Sequence, residues 1–348
     1  MKKKIFTFVI PLLAAYILLA ATDVKKELVF KPVWVTDLTQ TAISTSSPGD
    51  AAFPFRLDEL FGYMDTAGNL TYAGRVLHNA AIGENWFFNY SNSPSNLIAR
   101  DADGSIVFSI DAAGYPFIRD GRLFIISPEG NGISEWDEEG NKLWERWFGS
   151  VITSIDVSNT YVLVGMLKGL VELIDREGKT LVEYIPENSR VAAVYGCAVS
   201  DTGNQLAVLS GIEPQRLTVL ERREDEYKIA VSTIMDTSFR RTAFLSFSGK
   251  YLFIEGEENI YFLEPPRRWV RSIQIYGKLD SFTYRPESNL FFIVSKANGR
   301  SRLQVGMLPE QFLYETFLPG SSIFSRVTDT ALYLGSGYNI MRVNLVEH

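Results

Sequence analysis

Histidine and cysteine are nearly missing from this chain: His78 and His348 are its two histidines, and Cys197 is its single cysteine. One cysteine leaves no internal disulfide to form, so no covalent staple holds the fold. So few imidazoles and thiolates cannot assemble a zinc-type site, nor give each unit of a repeat its own general base. Phosphate-binding loops are lacking too. There is no Gly-x-Gly-x-x-Gly, no Walker-type run and no Gly-x-Ser-x-Gly elbow. Basic excess is absent, since 34 Lys and Arg stand against 41 Asp and Glu, a formal net charge of −7. An acidic chain lacks the cationic footprint of a nucleic-acid binder.

The beginning of the chain has a different character. Lys2, Lys3 and Lys4 precede a 17-residue apolar run from Ile5 to Ala21. A charged start followed by an apolar stretch is the pattern of an export signal. The run is long for a cleaved signal and short for a spanning helix. A cut after Ala21 places Leu19 where a small residue is wanted, and a cut after Thr22 leaves Ala20 and Thr22. No cysteine follows, which excludes a lipid-modified one. The expectation is a hydrophobic helix over residues 1–22, serving as signal peptide or as inner-membrane anchor through 5–21. Residues 23–348 are then exported, periplasmic or extracytoplasmic, with a formal charge near −10.

The exported part repeats itself. MDTAGNLTYAG begins at Met64, RDADGSIVFSI at Arg100, WDEEGNKLWER at Trp136 and IDREGKTLVEY at Ile174. Each reads as a strand, an Asp-x-x-Gly turn and a second strand. Asp65, Asp101, Asp137 and Asp175 are spaced 36, 36 and 38 residues apart, with Gly68, Gly104, Gly140 and Gly178 three positions after them. Aspartate caps its own turn and glycine supplies the positive φ of a tight reversal, so these residues are read as structural. The fixed period marks a repeat array.

About four short strands fall in each period, with no amphipathic helix between them, which predicts an all-β propeller of four-stranded antiparallel blades. Eight outer strands can be counted, with seven blades as the alternative because SPGDAAFP and YSNSPSN read as loops in the first two units. The last unit has three strands of its own. An orphan strand at about residues 28–38 is expected to supply its fourth, closing one propeller domain over 23–348.

The hairpins WDEEGNKLWERW, RDADGSIVFSI and IDREGKTLVEYI resemble the repeat of pyrroloquinoline-quinone-type propellers. That group includes quinoprotein dehydrogenases and the non-enzymatic propeller subunit of the outer-membrane barrel-assembly machinery. A consensus tryptophan recurs at Trp144, while Phe108 and Val182 occupy comparable outer strands. A quinoprotein of this type implies a vicinal cysteine pair beside its cofactor, which a single cysteine cannot provide. The expectation is therefore a monomeric, non-catalytic binding or scaffold module for envelope proteins, without cofactor or metal. The alternatives are an enzyme with a pocket at the central channel, quinoprotein-like or a lactone or sugar hydrolase, and a small-ligand sensor.

Several residues test those readings. Arg267, Arg268, Trp269 and Arg271 form a basic, aromatic segment in an acidic chain. With Arg240 and Arg241, expected nearby in the same blade, they make a candidate interaction surface, because Arg and Trp are favoured interface anchors. Asp101, Asp103 and Ser105 begin like a calcium loop, but the later ligands are missing and the sister turns carry Thr66-Ala67 and Glu138-Glu139. Glu255 to Glu258 read as a solvated loop, Cys197 as a small buried apolar residue, and His78 as a loop or core hydrogen-bonder. Trp147 is expected to pack between blades, on the opposite face from Trp144 and Arg146.

Overall fold

Runs such as Val162–Met166, buried at every position, are what a sheet covered on both faces requires. The computed structural model describes residues 28–40, 52–186, 191–267, 270–309, 311–320 and 322–347. It contains eight antiparallel sheets, the blades of a propeller, so the count is eight and not seven.

Strand β1 (Leu28–Asp37) comes first, followed by blade 1 with β2 (Phe53–Leu57), β3 (Leu60–Met64) and β4 (Leu70–Arg75). Blade 2 holds β5 (Asn79–Ile82), β6 (Trp86–Tyr90), β7 (Leu97–Asp101) and β8 (Ile106–Ile110). Blade 3 holds β9 (Tyr115–Arg119), β10 (Arg122–Ile126), β11 (Gly132–Trp136) and β12 (Lys142–Trp147). Blade 4 holds β13 (Ile152–Val157), β14 (Val162–Met166), β15 (Val171–Ile174) and β16 (Thr180–Tyr184). Blade 5 holds β17 (Val194–Val199), β18 (Gln205–Ser210), β19 (Gln215–Arg223) and β20 (Glu226–Met235). Blade 6 holds β21 (Leu245–Ser248), β22 (Tyr251–Glu255), β23 (Asn259–Leu263) and β24 (Arg271–Gln274). Blade 7 holds β25 (Lys278–Arg285), β26 (Leu290–Ala297), β27 (Arg300–Met307) and β28 (Gln311–Leu318). Blade 8 holds β29 (Ile323–Val327), β30 (Ala331–Ser336) and β31 (Asn339–Glu347), with β1 as its outer strand.

The ring closes where the chain's two ends meet. β1 lies antiparallel to β31, from Leu28 opposite Glu347 to Asp37 opposite Asn339, with a bulge between Pro32 and Trp34. Blade 1 shows three strands among the described residues. Phe53 and Pro54, expected in a loop, instead open β2. Phe53 is buried because its ring lies 4.5 Å from Tyr333 and 6.2 Å from Phe324 of blade 8. The apolar segment 5–21, expected to be helical, lies outside the described residues.

The core is divided by geometry rather than gathered at one centre. Side chains alternate across each blade, so every blade feeds two interfaces. The buried apolar residues accordingly form eight clusters, one at each junction between neighbouring blades. In blades 2 to 7 one end carries the hairpins joining first to second and third to fourth strands; we call this the turn face, and the β3–β4 hairpin of blade 1 and the β29–β30 hairpin of blade 8 lie on it. The opposite end, the connection face, carries the second-to-third hairpins and the links between blades.

The four Asp-x-x-Gly turns lie on the turn face, and each aspartate is used up by its own backbone. Asp137 Oδ1 accepts from Glu139 N at 3.0 Å and Asn141 N at 2.7 Å, and Gly140 N donates to Asp137 O at 3.2 Å. Asp65, Asp101 and Asp175 repeat this pattern. The glycine φ angles run from +79° at Gly178 to +94° at Gly68, a region that costs an L-residue strain.

A second reason for glycine comes from the preceding blade. A Cβ on Gly178 would sit 2.7 Å from Trp144; the rings of Phe108, Tyr72 and Trp34 press on Gly140, Gly104 and Gly68 in the same way. Each turn is thus the seat of an aromatic ring from the outer strand of the blade before it. Trp144, at 8% exposure, makes this inter-blade contact, whereas Trp147 is 58% exposed and lies over Gly132 of its own blade. The packing role expected for Trp147 belongs to Trp144, because the turn glycine leaves room on the Trp144 side of β12 only.

Candidate interaction surfaces and the central channel

Register decides which of the basic residues meet. Arg267 lies in the β23–β24 connection on the turn face, and Arg271 opens β24 beside Phe262. Together with Lys250, Tyr251, Leu263 and Glu264 they line a cleft of about 220 Å³. The Glu264 carboxylate sits 3.4 Å from both Lys250 Nζ and Arg267 Nη1, so two cations share one acid and Arg271 adds a third positive charge to the cleft. Arg268 and Trp269 lie outside the described residues. Arg240 and Arg241 precede β21 and so stand at the opposite, connection face; the structure does not bring them to the Arg267 cleft. Arg240 pairs with Glu213 at 3.4 Å. Arg241 makes a two-pronged pair with Glu255, at 2.6 and 3.1 Å.

That pair corrects the reading of Glu255 as a solvated loop residue. Its side chain is 4% exposed at the end of β22, where it also accepts from Phe244 N at 2.9 Å. A more deeply buried version ties blade 3 to blade 4. Arg122 donates to Glu135 at 2.7 and 2.6 Å and to the carbonyl oxygens of Ser158 and Tyr161, while Trp144 Nε1 donates to Glu135 Oε2 at 2.7 Å. All three Arg122 nitrogens and both Glu135 oxygens find partners, as burial of charge demands.

The outer rim carries the exposed apolar surface. On β28, Phe312, Tyr314 and Phe317 are 40–53% exposed, and Val29 and Val33 of β1 are 41% and 48% exposed. Phe30 of β1 stacks on Tyr314 at 4.4 Å, and Tyr276 meets Phe317 edge-on at 5.6 Å, so the rings run across blades 6 to 8. Glu315 is the only charged residue on β28, and it pairs with Arg302.

A cavity of about 560 Å³ opens in the channel between the inner strands β5, β9 and β13. Its charged lining residues are Arg56 and Arg119; no carboxylate belongs to its described wall. Among the described residues no three His, Cys, Asp or Glu are placed to hold a metal ion. Asp103, the second acid of the calcium-like sequence, accepts from Ser105 N at 2.8 Å in its turn. Cys197 is buried, with Sγ 3.4 Å from Ser154 Oγ, and burial pushes its thiol up to about 12. Asp156, in β13, accepts from Val199 N at 2.9 Å and faces Arg119 at 3.4 Å; burial pushes its carboxyl up to about 6. His78 is exposed between β4 and β5, its backbone N–H on Tyr90 O. No helix among the described residues is long and apolar enough to cross a membrane.

Sequence reasoning missed the ring-on-glycine series and the buried Arg122–Glu135 pair. The first had a signal: an aromatic residue stands seven positions after Asp65, Asp101 and Asp137, at Tyr72, Phe108 and Trp144. The second had none.

The family model described as beta-propeller protein matches residues 1–348, and the chain belongs to that family. An uncharacterized protein of Treponema pallidum (strain Nichols) is 23% identical over 304 residues, covering 84% of this chain and 81% of that one. Among solved structures, BamB from Moraxella catarrhalis superposes with a TM-score of 0.62 at 13% identity, covering 91% of this chain and all of its own. The computationally designed Ika8 protein gives 0.62 at 14% identity, covering 88% and 96%. The Dos1 propeller gives 0.59 at 13%, covering 90% and 95%. At these identities the likeness is one of fold.

Proposed function

We propose that this protein is an exported, membrane-tethered propeller that acts without catalysis or cofactor as a protein-binding scaffold of the cell envelope. The observation that carries this reading is the aromatic rim of blades 6 to 8, where Phe312, Tyr314 and Phe317 stand open on an outer strand with one charge. Large exposed apolar patches on a folded protein mark interaction sites. The partner contributes an apolar segment to this rim and an acidic one to the neighbouring cleft of Lys250, Arg267 and Arg271, which lies at the turn-face end of blade 6. The three lysines before Ile5 support retention of the start of the chain inside, with the propeller outside. The fold likeness to BamB, the propeller of the barrel-assembly machinery, supports an envelope partner. The protein works as a monomer, a reading supported by closure of blade 8 with β1 of the same chain.

Affinity recovery from crosslinked membranes tests this reading. The double variant Phe312→Ser, Phe317→Ser is expected to lose the partner that the wild type recovers, and Arg267→Glu with Arg271→Glu to weaken it. Both should still melt cooperatively. An unchanged partner set from the folded rim variant overturns the assignment. Protease added to spheroplasts should digest the propeller; protection of the whole chain refutes export.

A further inference from the structure

The channel cavity has a polarity that scaffolding does not use. Its charged wall is wholly cationic in a chain of formal net charge −7. The two arginines are not equivalent. Arg119, at the turn-face end of β9, already faces the Asp156 carboxylate at 3.4 Å. Arg56 stands at the connection-face mouth, where its Nη1 donates to Asn79 Oδ1 at 2.8 Å and Ala80 O at 3.4 Å. Both acceptors are neutral. They orient the guanidinium, and no carboxylate among the described residues pairs with it, unlike Arg122, Arg146, Arg241, Arg285 and Arg326.

The same mouth carries further polar groups. Tyr115 opens β9 and Thr153 is the second residue of β13; the Tyr115, Thr153 and Thr242 hydroxyls are held in place by donating to Asn92 O, Gly165 O and Thr153 O at 3.4, 3.1 and 2.8 Å. Deeper in, the wall turns apolar, with Ile118 and Ile155. A guanidinium at one end of an apolar cleft, set in a polar mouth, is the recognition element for a molecule with one charged head and a flat or branched hydrocarbon body.

We infer that the channel binds an amphipathic organic monoanion, a carboxylate or sulfonate, with its head on Arg56 and its body between β5, β9 and β13. The cavity, at about 560 Å³, lies within the range of small-molecule pockets. The site is independent of the rim and the basic cleft, so it stands or falls apart from the scaffold reading.

The test uses the purified full-length protein and 8-anilinonaphthalene-1-sulfonate, an aromatic monoanion whose fluorescence rises on leaving water. One saturable site per chain is expected. Arg56→Gln should raise Kd about tenfold, the loss expected when a charge-assisted hydrogen bond disappears. Arg56→Lys, which keeps the charge, should hold Kd within a few-fold. N-phenyl-1-naphthylamine, a neutral molecule of similar body, should bind wild type and Arg56→Gln alike. The rim variant Phe312→Ser, Phe317→Ser should leave the sulfonate's Kd unchanged. Absence of a saturable site, an equal Kd in Arg56→Gln, equal losses in Arg56→Lys and Arg56→Gln, or loss of the signal in the rim variant would each overturn the assignment.

Discussion

From Asp65 to Tyr184 the blades are short-stranded and indexed: a ring on one outer strand seats on a glycine turn of the next blade. From Val194 onwards no outer-strand ring seats on an Asp-x-x-Gly turn among the described residues, although Tyr161 of blade 4 presses on Gly203 in the first hairpin of blade 5, and three of the four blades have longer strands. β20 has ten residues, β25 to β28 have eight each and β1 has ten, against four to six in blades 3 and 4. Both halves bury continuous apolar runs between blades, yet only the first adds a ring-on-glycine contact to each junction. A ring on a glycine sets position at one point and demands particular residues there. A long ladder adds backbone hydrogen bonds within its own blade and leaves the side chains free to vary. The edges differ as well. β1 carries Lys31, Pro32 and a bulge, all of which discourage further strand pairing, whereas β28 carries only Glu315.

The sharpest way to test this contrast is through the two Arg–Glu pairs, one in each half. Glu135→Ala strands Arg122 at 3% side-chain exposure and removes the acceptor of Trp144, with an expected cost of about 3–5 kcal/mol. Glu255→Ala leaves Arg241 at 38% exposure and able to reach water, for about 1–2 kcal/mol. Denaturant melts read both; equal costs would erase the distinction.

Glycine substitution comes next. Gly178→Ala combines a left-handed backbone with collision against Trp144, an expected loss of about 2–4 kcal/mol. Gly299 has a similar φ of +72° and nothing within 4 Å of a Cβ, so Gly299→Ala should cost about 1 kcal/mol. If thermal unfolding gives the two the same shift, the ring-on-glycine contact contributes nothing.

Asp156 sits at the seam between the halves, on blade 4 and bonded to blade 5. Its folded pKa of about 6 exceeds the ordinary aspartate value, so between pH 4 and 6 the folded state holds a proton that the unfolded chain has lost. This contribution to stability is complete below pH 4 and gone above pH 6. Asp156→Asn removes the dependence. Its stability relative to wild type should therefore rise from pH 4 to pH 7, by on the order of 1–3 kcal/mol. A pH-independent difference would count against burial as the cause.

The smallest effect is expected at Asp137, whose exposed carboxylate is held below the usual range by Asn141. Asp137→Ala should lower the melting temperature slightly at neutral pH. The gap should close as pH falls through the depressed pKa, where the wild type loses the same charge. Partner recovery should be unchanged.

The contrast between halves also explains what could be read in advance. Asp-x-x-Gly turns were legible because backbone geometry admits few residues at those positions, and β1 was legible because counting strands left one orphan at the start and one place open on blade 8. Beyond Val194 the period blurs because ladder length does not prescribe side chains. Glu135 and Glu255 were illegible because a charged residue in a strand looks solvent-facing until its buried partner is known. Arg122 is 13 residues from Glu135, and no local pattern joins them. Arg241 and Arg267 share a blade, but only register shows that they occupy opposite faces. Arg56 gave no signal at all, since a channel is made by strands distant in sequence.

The β1–β31 closure has a mechanical consequence. Because the strands run antiparallel, Leu28 and Glu347 leave the ring at one corner. Tension between the start of the chain and its end therefore loads a single rung at a time and peels β1 away like a zipper, instead of shearing all its rungs together. A propeller hung by its first residues and pulled by its last would open at this seam long before any blade unravelled. The same pull applied through the rim of blade 7 would spare it.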